Sequence, residues 1–437
     1  MTRALAEALF DWRVIRWLAG LAFLMRAAGW VLILRPYRAI ADVCWVARVP
    51  NVAPWSGFAE WLVMRVMGAV KRTGRNPVID WYRRDRASRV CAELFSVSGR
   101  GSADLFRDLI VLKSPSTDEK GVILLKYART FSAVVALFDL DRLMSRYRFV
   151  LEPCWSGYCD PALLSFVTQR EPVVVQCFTP TDRSFVQRLG FPMVPVSLGP
   201  ADWVDTDAFD WPACPDRPFD LVMVANWAAH KRHALLFEAL QKVRDRDVSV
   251  LLIGFPWANR SADDVRREIA EFPNERVSVK IVEQIPHDEL ARLLRQCKSF
   301  VFLSKKEGDN KSLVEAMFAD VPAIVFEGTI GGATSRINGA TGILASEDEL
   351  PAKIEFMLDH FLEFAPRRWA LEHTGSRVAT RVVNDALAAA ATASGEEYRT
   401  GIVEKTNAPN LAYLRPVDRE RFRDDYDFVL SCRRGGG

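Results

Sequence analysis

The feature that most limits what this chain can become is an alternation that occurs twice. From Gly121 onward, short apolar runs alternate with longer stretches of helical spacing: "GVILLKYA" (121–128), "RFVLEPC" (148–154), "PVVVQCF" (172–178) and "PMVPVSL" (192–198). Near-continuous apolar runs of this length fit strands of a parallel sheet covered on both faces. A second series opens at Phe219 with "FDLVMVA", then "VSVLLIG" (248–254), "VSVKIVE" (277–283), "SFVFLS" (299–304) and "PAIVFE" (322–327). Helical segments fall between them, among them "FSAVVALFDLDRLMSRY" (131–147) and "KSLVEAMFAD" (311–320). Strands alternating with helices predict an α/β fold with two Rossmann-like, doubly wound domains. A chain of 437 residues is long enough for two cores.

The expected organisation is a first domain over 1–200, a linker over 201–218, a second domain over 219–390 and a polar C-terminal tail over 391–437. The linker "ADWVDTDAFDWPACPDRP" breaks the pattern with prolines and aspartates. Two such domains enclose a cleft, and ligands bind outside the carboxyl ends of parallel strands.

Charge is unevenly placed. Residues 1–100 hold 16 Lys/Arg against 7 Asp/Glu, a balance of +9, while the whole chain carries only +3. The same stretch holds seven of the thirteen tryptophans: Trp12, Trp17, Trp30, Trp45, Trp55, Trp61 and Trp81. Basic residues mixed with tryptophan suit an anionic membrane surface. No nucleic-acid motif accompanies them, so nucleic acid is not an expected partner. Within this basic, Trp-rich segment at 12–38, residues 17–34 are apolar except for Arg26. As a bilayer span, that segment would place Arg26 near the centre, at about 2.5–3.5 kcal/mol. Lying in the interface avoids much of that cost, and a buried core helix of the first domain is the remaining reading. Glu7 and Asp11 argue against a secretory leader. The cysteines form no metal-ligand spacing and read as reduced thiols of a cytosolic protein.

The second series carries the chemistry. In "SKKEGDNKSLVEAMFAD" (304–320), Glu307 falls just past a strand end and Glu315 lies seven residues on, in the next helix. Gly308, Asp309 and Asn310 form the turn, and either Asp309 or Asn310 is placed to cap the helix. Free amides at that helix start favour an anion, with Ser312 and Lys311 beside them. Read alone, the spacing favours an ordinary helix start, and its place after a buried strand is what points to a site. Asn226, Lys231 and Arg232 follow the first strand of the series, where cations meet phosphates. Gly331 and Gly332 follow "PAIVFE" and permit close backbone approach to a ligand.

These residues resemble glycosyltransferase group 1, the retaining family of GT-B fold, similar to family 4. The resemblance runs mainly over 220–356: "IPHDELARLLRQCKSFVFLS" leads into "EGDNKSLVEAMFADVPAIV", followed by "GGATSRINGATGILA". It implies that Glu307 binds and positions the transferred sugar, Glu315 binds the nucleoside ribose, and Lys231 binds the donor diphosphate. Ala225 and Asn226 stand where that family usually has a Gly-Arg pair, and Asp309 and Asn310 where it has Phe-Gly. The expected activity is transfer of a sugar from a nucleotide-sugar donor to a glycan or lipid-linked acceptor in polysaccharide or glycoconjugate biosynthesis. A catalytically inactive scaffold, or a sugar-nucleotide epimerase on the same fold, are the alternatives. The resemblance requires no metal or other cofactor. On the acceptor side, Glu152 ends a strand, and Trp155 and Tyr158 offer rings for sugar stacking, or pack their own loop. The Asp139–Asp141 "DLD" falls inside an expected helix and is discounted as a metal motif. The expected location is cytoplasmic and peripheral on the inner face of the cell membrane.

Overall fold

A computed structural model describes residues 13–33, 35–48, 55–86, 105–155, 157–209, 216–243 and 245–434. Glu7, Asp11, Trp12, Cys91, Cys214 and the 210–215 part of the expected linker lie outside the described residues. The chain divides into two compact units. One comprises Met1–Ser197, Val383–Val403 and Arg415–Gly437; the other comprises Leu198–Val382 and Glu404–Leu414.

The first unit holds a five-stranded sheet of β1 (Leu109–Lys113), β2 (Gly121–Lys126), β3 (Tyr147–Glu152), β4 (Val173–Gln176) and β5 (Met193–Val196). Its spatial order is β1-β2-β3-β4-β5, the order of the sequence. β2 to β5 are parallel and β1 is antiparallel to β2. Every residue of β1 to β4 is buried, which is why these strands read as unbroken apolar runs. The stretch expected as one helix over 131–147 is two, Ala128–Leu137 and Leu140–Arg146. Asp139 lies between them and its carboxylate caps the second by accepting from the Arg142 amide at 3.1 Å. The first aspartate of "DLD" is therefore a helix cap.

Sequential right-handed crossovers in one direction put the connecting helices on one face of a sheet. Three helices, Arg13–Leu32, Pro36–Arg48 and Trp55–Thr73, add a further layer outside that face. Asn76 donates to the Leu164 carbonyl at 2.9 Å, Lys71 donates to the Leu189 carbonyl, and Arg188 pairs with Glu60. The expected tail supplies the rest of the unit. Helices Val417–Arg421 and Arg423–Ser431 bury Phe422 and Val429, and Phe428 packs on Tyr147 of β3. Arg148, on the opposite face of the same strand, pairs with Glu396 at 2.6 Å.

The second unit holds six parallel strands: β6 (Phe219–Val224), β7 (Val248–Gly254), β8 (Val277–Glu283), β9 (Cys297–Phe302), β10 (Ala323–Phe326) and β11 (Gly342–Ala345). Their order is β11-β10-β9-β6-β7-β8. The chain runs outward from β6 to β8, returns to β6, and continues on its other side through β9 to β11. This sheet is doubly wound, and its direction reverses between β6 and β9. The described part of the expected linker belongs to this unit's core: Ala201, Trp203, Val204 and Phe209 are fully buried. The chain thus holds two α/β sheet units, the second of them doubly wound.

Candidate functional site

The reversal between β6 and β9 is where a doubly wound sheet opens a crevice at its carboxyl ends. After β6, the Asn226 carboxamide accepts from the Ala228 amide at 3.2 Å and tightens the turn into a short 3-10 segment, Ala229–Lys231. Trp227 is fully buried and donates its indole N–H to Glu283 at 2.6 Å, anchoring that turn to β8. Arg232 adopts a left-handed conformation (φ 64°), which redirects the chain into helix His233–Leu240. The result is a largely buried Lys231 side chain beside the crevice.

After β9, residues 303–304 stay buried, Lys305 and Lys306 are exposed, and Glu307 follows. The loop after β10 continues the parallel pairing beyond both strands. The Ile330 amide donates to the Lys305 carbonyl and the Glu307 amide to the Ile330 carbonyl, both at 2.9 Å; the Gly332 amide donates to the Gly308 carbonyl at 3.0 Å. Gly331 sits at φ 146°, and a Cβ there would lie 2.3 Å from the Glu307 carbonyl oxygen and 2.7 Å from that of Gly308. Only glycine permits this approach, so the Gly331–Gly332 turn packs directly against the Glu307–Gly308 turn.

Lys231 and Glu307 meet in an ion pair across the reversal. His230 Nε2 lies 3.9 Å from the same carboxylate. Asn310, not Asp309, caps helix Lys311–Phe318 by accepting from the Leu313 amide at 2.8 Å. The amides of Lys311 and Ser312, ahead of that bond, have no intrahelical acceptor. Glu315 is buried on the same helix and bonds His287 Nε2 at 2.8 Å. With a carboxylate facing it, Nε2 is the donor. The edge of the His287 ring meets the Phe209 ring at 5.8 Å.

Asp309 has a different role. It accepts from the Ala201 amide at 2.9 Å and pairs with Arg336, which also pairs with Asp202 at 2.8 Å. Thr374 donates to the same Asp202 at 2.6 Å. Burial opposes charge on Arg336, but Asp202 and Asp309 outweigh it and hold the guanidinium pKa above its ordinary value. This triad ties the 199–204 segment to the turn after Glu307, so the extra carboxylate beside the crevice is an internal strut.

Two residues expected on the donor side are placed elsewhere. Lys311 donates its ammonium to the carbonyls of Asn407 and Pro409, at 2.6 and 3.0 Å. Arg232 pairs with Glu347 and lies over the Phe326 ring at 4.8 Å. Ser312 is half-buried in the first helical turn. In the first unit, Glu152 is fully buried, 3.8 Å from the Lys126 ammonium. Tyr158 is 2% exposed and donates to the Gln176 carbonyl at 2.7 Å, so it packs its own loop. Trp155 is 56% exposed. Sequence reasoning missed His230, His287, Arg336 and Asp202. His287 had a signal, since it opens the "HDEL" helix leading into β9. Asp202 and Arg336 are too far apart in sequence for any spacing to reveal them. Among the described residues, no three His, Cys, Asp or Glu side chains gather as a metal site.

Residues 206–368 match the family model of glycosyl transferases group 1. No curated protein matches the chain. Among solved structures, a mutant of Staphylococcus aureus TarM in complex with Fondaparinux, alpha-GlcNAc-glycerol and UDP matches at 16% identity and TM-score 0.43, over 55% of this chain and 51% of that one. The alignment thus spans about half the length of TarM. Anabaena HepE with UDP and glucose matches at 14% identity and TM-score 0.47, over 60% and 77% of the two chains. Sucrose-phosphate synthase from Thermosynechococcus elongatus matches at 17% identity and TM-score 0.42, over 61% and 74%.

Proposed function

From a chain whose residues 206–368 form a group 1 glycosyl transferase domain, we propose an enzyme that moves a sugar from a nucleotide-sugar donor to a glycan or lipid-linked acceptor, with retention at the anomeric carbon. The observation that carries this reading is the Lys231–Glu307 pair at the carboxyl ends of β6 and β9, with the Gly331–Gly332 turn packed against it. In the reading, the donor diphosphate takes the Lys231 ammonium, and Glu307 turns to the hydroxyls of the transferred sugar. The helix-start amides at Lys311 and Ser312 face the same charge. Glu315, oriented by His287, takes the ribose hydroxyls.

The bond from the anomeric carbon to the diphosphate oxygen breaks, and the acceptor oxygen bonds that carbon on the same face. The acceptor proton passes to the departing diphosphate oxygen. Lys231 stabilises the charge that develops there, and Glu307 holds the sugar in register. Retention fits the histidine distribution: all five, from His230 to His373, lie beyond the first sheet. That sheet therefore offers no imidazole as a general base for the acceptor. The reaction so written needs no metal. We place the enzyme in the cytoplasm, peripheral on the inner face of the cell membrane, serving polysaccharide or glycoconjugate synthesis.

Thermal unfolding with a panel of nucleotide sugars tests the reading, because a bound ligand stabilises the folded state. One donor is expected to raise the midpoint and to be consumed only when acceptor is present, with chelator making no difference. No shift with any donor would indicate a scaffold instead, and consumption without acceptor an epimerase.

A further inference from the structure

Helix Arg13–Leu32 packs one side on helices Pro36–Arg48 and Trp55–Thr73, with Phe23 stacked on Trp45 and Trp17 against Trp55, and leaves the other side open. Residues 15–32 are long and apolar enough to cross a membrane, yet only 11% of them are buried. The buried side is narrow: Gly20 and Ala27, seven residues apart, face the neighbouring helix. The opposite side carries Leu18, Met25 and Leu32, also seven apart and all more than half exposed. Helix Trp55–Thr73 of the same layer also exposes large apolar side chains, Phe58 and Trp61, and Arg65 lies over the Trp61 ring at 5.5 Å.

Two further observations say what covers it. First, the helix is clamped to the body. Arg26 donates to Asp42 through Nε at 2.7 Å and Nη2 at 2.6 Å, and the Trp30 indole donates to the same carboxylate at 3.0 Å. Asp42 belongs to helix Pro36–Arg48, which buries Ala39, Ile40, Val43, Cys44 and Val46 and whose Arg48 pairs with Asp160. Crossing a bilayer would tear this clamp open. Second, the layer has no spare negative charge. Residues 13–76 hold ten Lys/Arg and two Asp/Glu. Both acids are consumed internally, Asp42 by Arg26 and Glu60 by Arg188. Arg35, Arg65, Arg72 and Arg75 remain exposed. A second copy docking on this face by twofold symmetry would set the same arginines against one another. An anionic lipid surface meets both the apolar stripe and the cationic rim.

We propose that helix Arg13–Leu32 is an in-plane anchor for anionic lipid, lying with Leu18, Met25 and Leu32 among the acyl chains while the Arg26–Asp42 clamp holds it against the protein. The inference deepens the peripheral-membrane part of the proposed function and stands apart from the donor chemistry.

The test is flotation of the full chain with vesicles of phosphatidylethanolamine and phosphatidylglycerol, against vesicles of phosphatidylcholine alone. The chain is expected to float with the first, to be released by alkaline carbonate, and to lose flotation at least tenfold as the triple variant Leu18→Glu, Met25→Glu, Leu32→Glu. That variant is expected to keep the wild-type donor-induced thermal shift. If the wild type floats with neither vesicle, the anchor is overturned whatever the donor assay reads. Carbonate resistance overturns it in favour of a span. A wild-type dimer that the triple substitution converts to a monomer, with no vesicle binding by either, overturns it in favour of a second copy.

Discussion

The two sheets are built mainly of parallel strands joined by helices, and they differ in strand order. In the first, the strands follow one another in sequence order; in the second, the order reverses between β6 and β9. The charged residues at the strand ends differ accordingly. At the end of β3, Glu152 is sealed from solvent against Lys126. At the ends of β6 and β9, Lys231 and Glu307 form an ion pair that keeps some exposure to solvent, with His230 half-exposed beside it. A reversal leaves two helices on opposite faces of the sheet and a gap above the strand ends. Without one, adjacent helices close over the strand ends and a charge there serves the core. The same residue types thus do different work, and strand order decides which.

The strongest way to break this comparison is to remove one charge from each sheet. Glu307→Ala or Lys231→Ala is expected to lower the transfer rate by roughly 10²–10³-fold, the range for losing one group that stabilises developing charge. Circular dichroism and the unfolding midpoint are expected to stay close to wild type. Lys126→Ala is expected to do the reverse: stability falls, because buried Glu152 loses the ammonium 3.8 Å away, while any folded protein transfers normally. A fully active Glu307→Ala enzyme would remove the second sheet's claim to the site.

Acid should separate the two units as well. His233, buried against Trp227, has its pKa lowered from 6.5 to about 4, first by burial and then by Arg260 and Lys231. Between those values the unfolded chain binds a proton that the folded chain does not. Stability of the second unit is therefore complete above pH 6.5 and falls as pH drops toward 4, by about 2 kcal/mol at pH 5. In the first unit, burial would raise Glu119, but the Arg399 amide, Lys113 and the Thr400 amide outweigh it and lower its pKa from 4.5 to about 2. Its contribution is lost only as pH falls below 4.5. Hydrogen exchange of the 233–240 helix should therefore quicken between pH 7 and pH 5 in the wild type relative to His233→Leu, while β1 and β2 stay protected. Equal loss of protection in both units would show that they do not differ in this way.

Most of this layout was legible because burial on both faces writes strands as apolar runs. β2 to β7, β9 and β10 announce themselves in that way, while β8, at the sheet edge, alternates half-buried apolar residues with exposed Ser278 and Lys280. β1 follows a stretch with no alternation to set its register, and β11 is four residues long, with a glycine at its start. The helices after residue 415 bury a single side each, so their composition reads as a polar tail. At the candidate site, Glu307, Lys231 and Gly331 were legible because each lies in the loop that follows a strand. The Asp202–Arg336–Asp309 triad was not, because Asp202 lies 134 residues from Arg336 and such charges share no local period. The triad accounts for Asp309, which stands where the resembling family has an apolar residue and whose carboxylate lies beside the expected phosphate site.

The finest comparison lies within one loop of the first unit. Trp155 and Tyr158 are three residues apart and both read as sugar-stacking rings, yet one is open and the other sealed. An exposed indole adds ring contact worth about 0.5–1.5 kcal/mol to a bound partner. Trp155→Ala is therefore expected to raise the acceptor KM by about two- to tenfold. The unfolding midpoint and the donor KM should be unchanged. Tyr158→Phe removes one buried hydrogen bond, to Gln176. It should cost about 0.5–1.5 kcal/mol of stability and leave both KM values alone. Steady-state kinetics and urea unfolding on the two variants read both outcomes. If Trp155→Ala leaves the acceptor KM untouched, the loop is packing throughout. The acceptor then has no ring there to stack on, and the first sheet contributes to the reaction only through its shape.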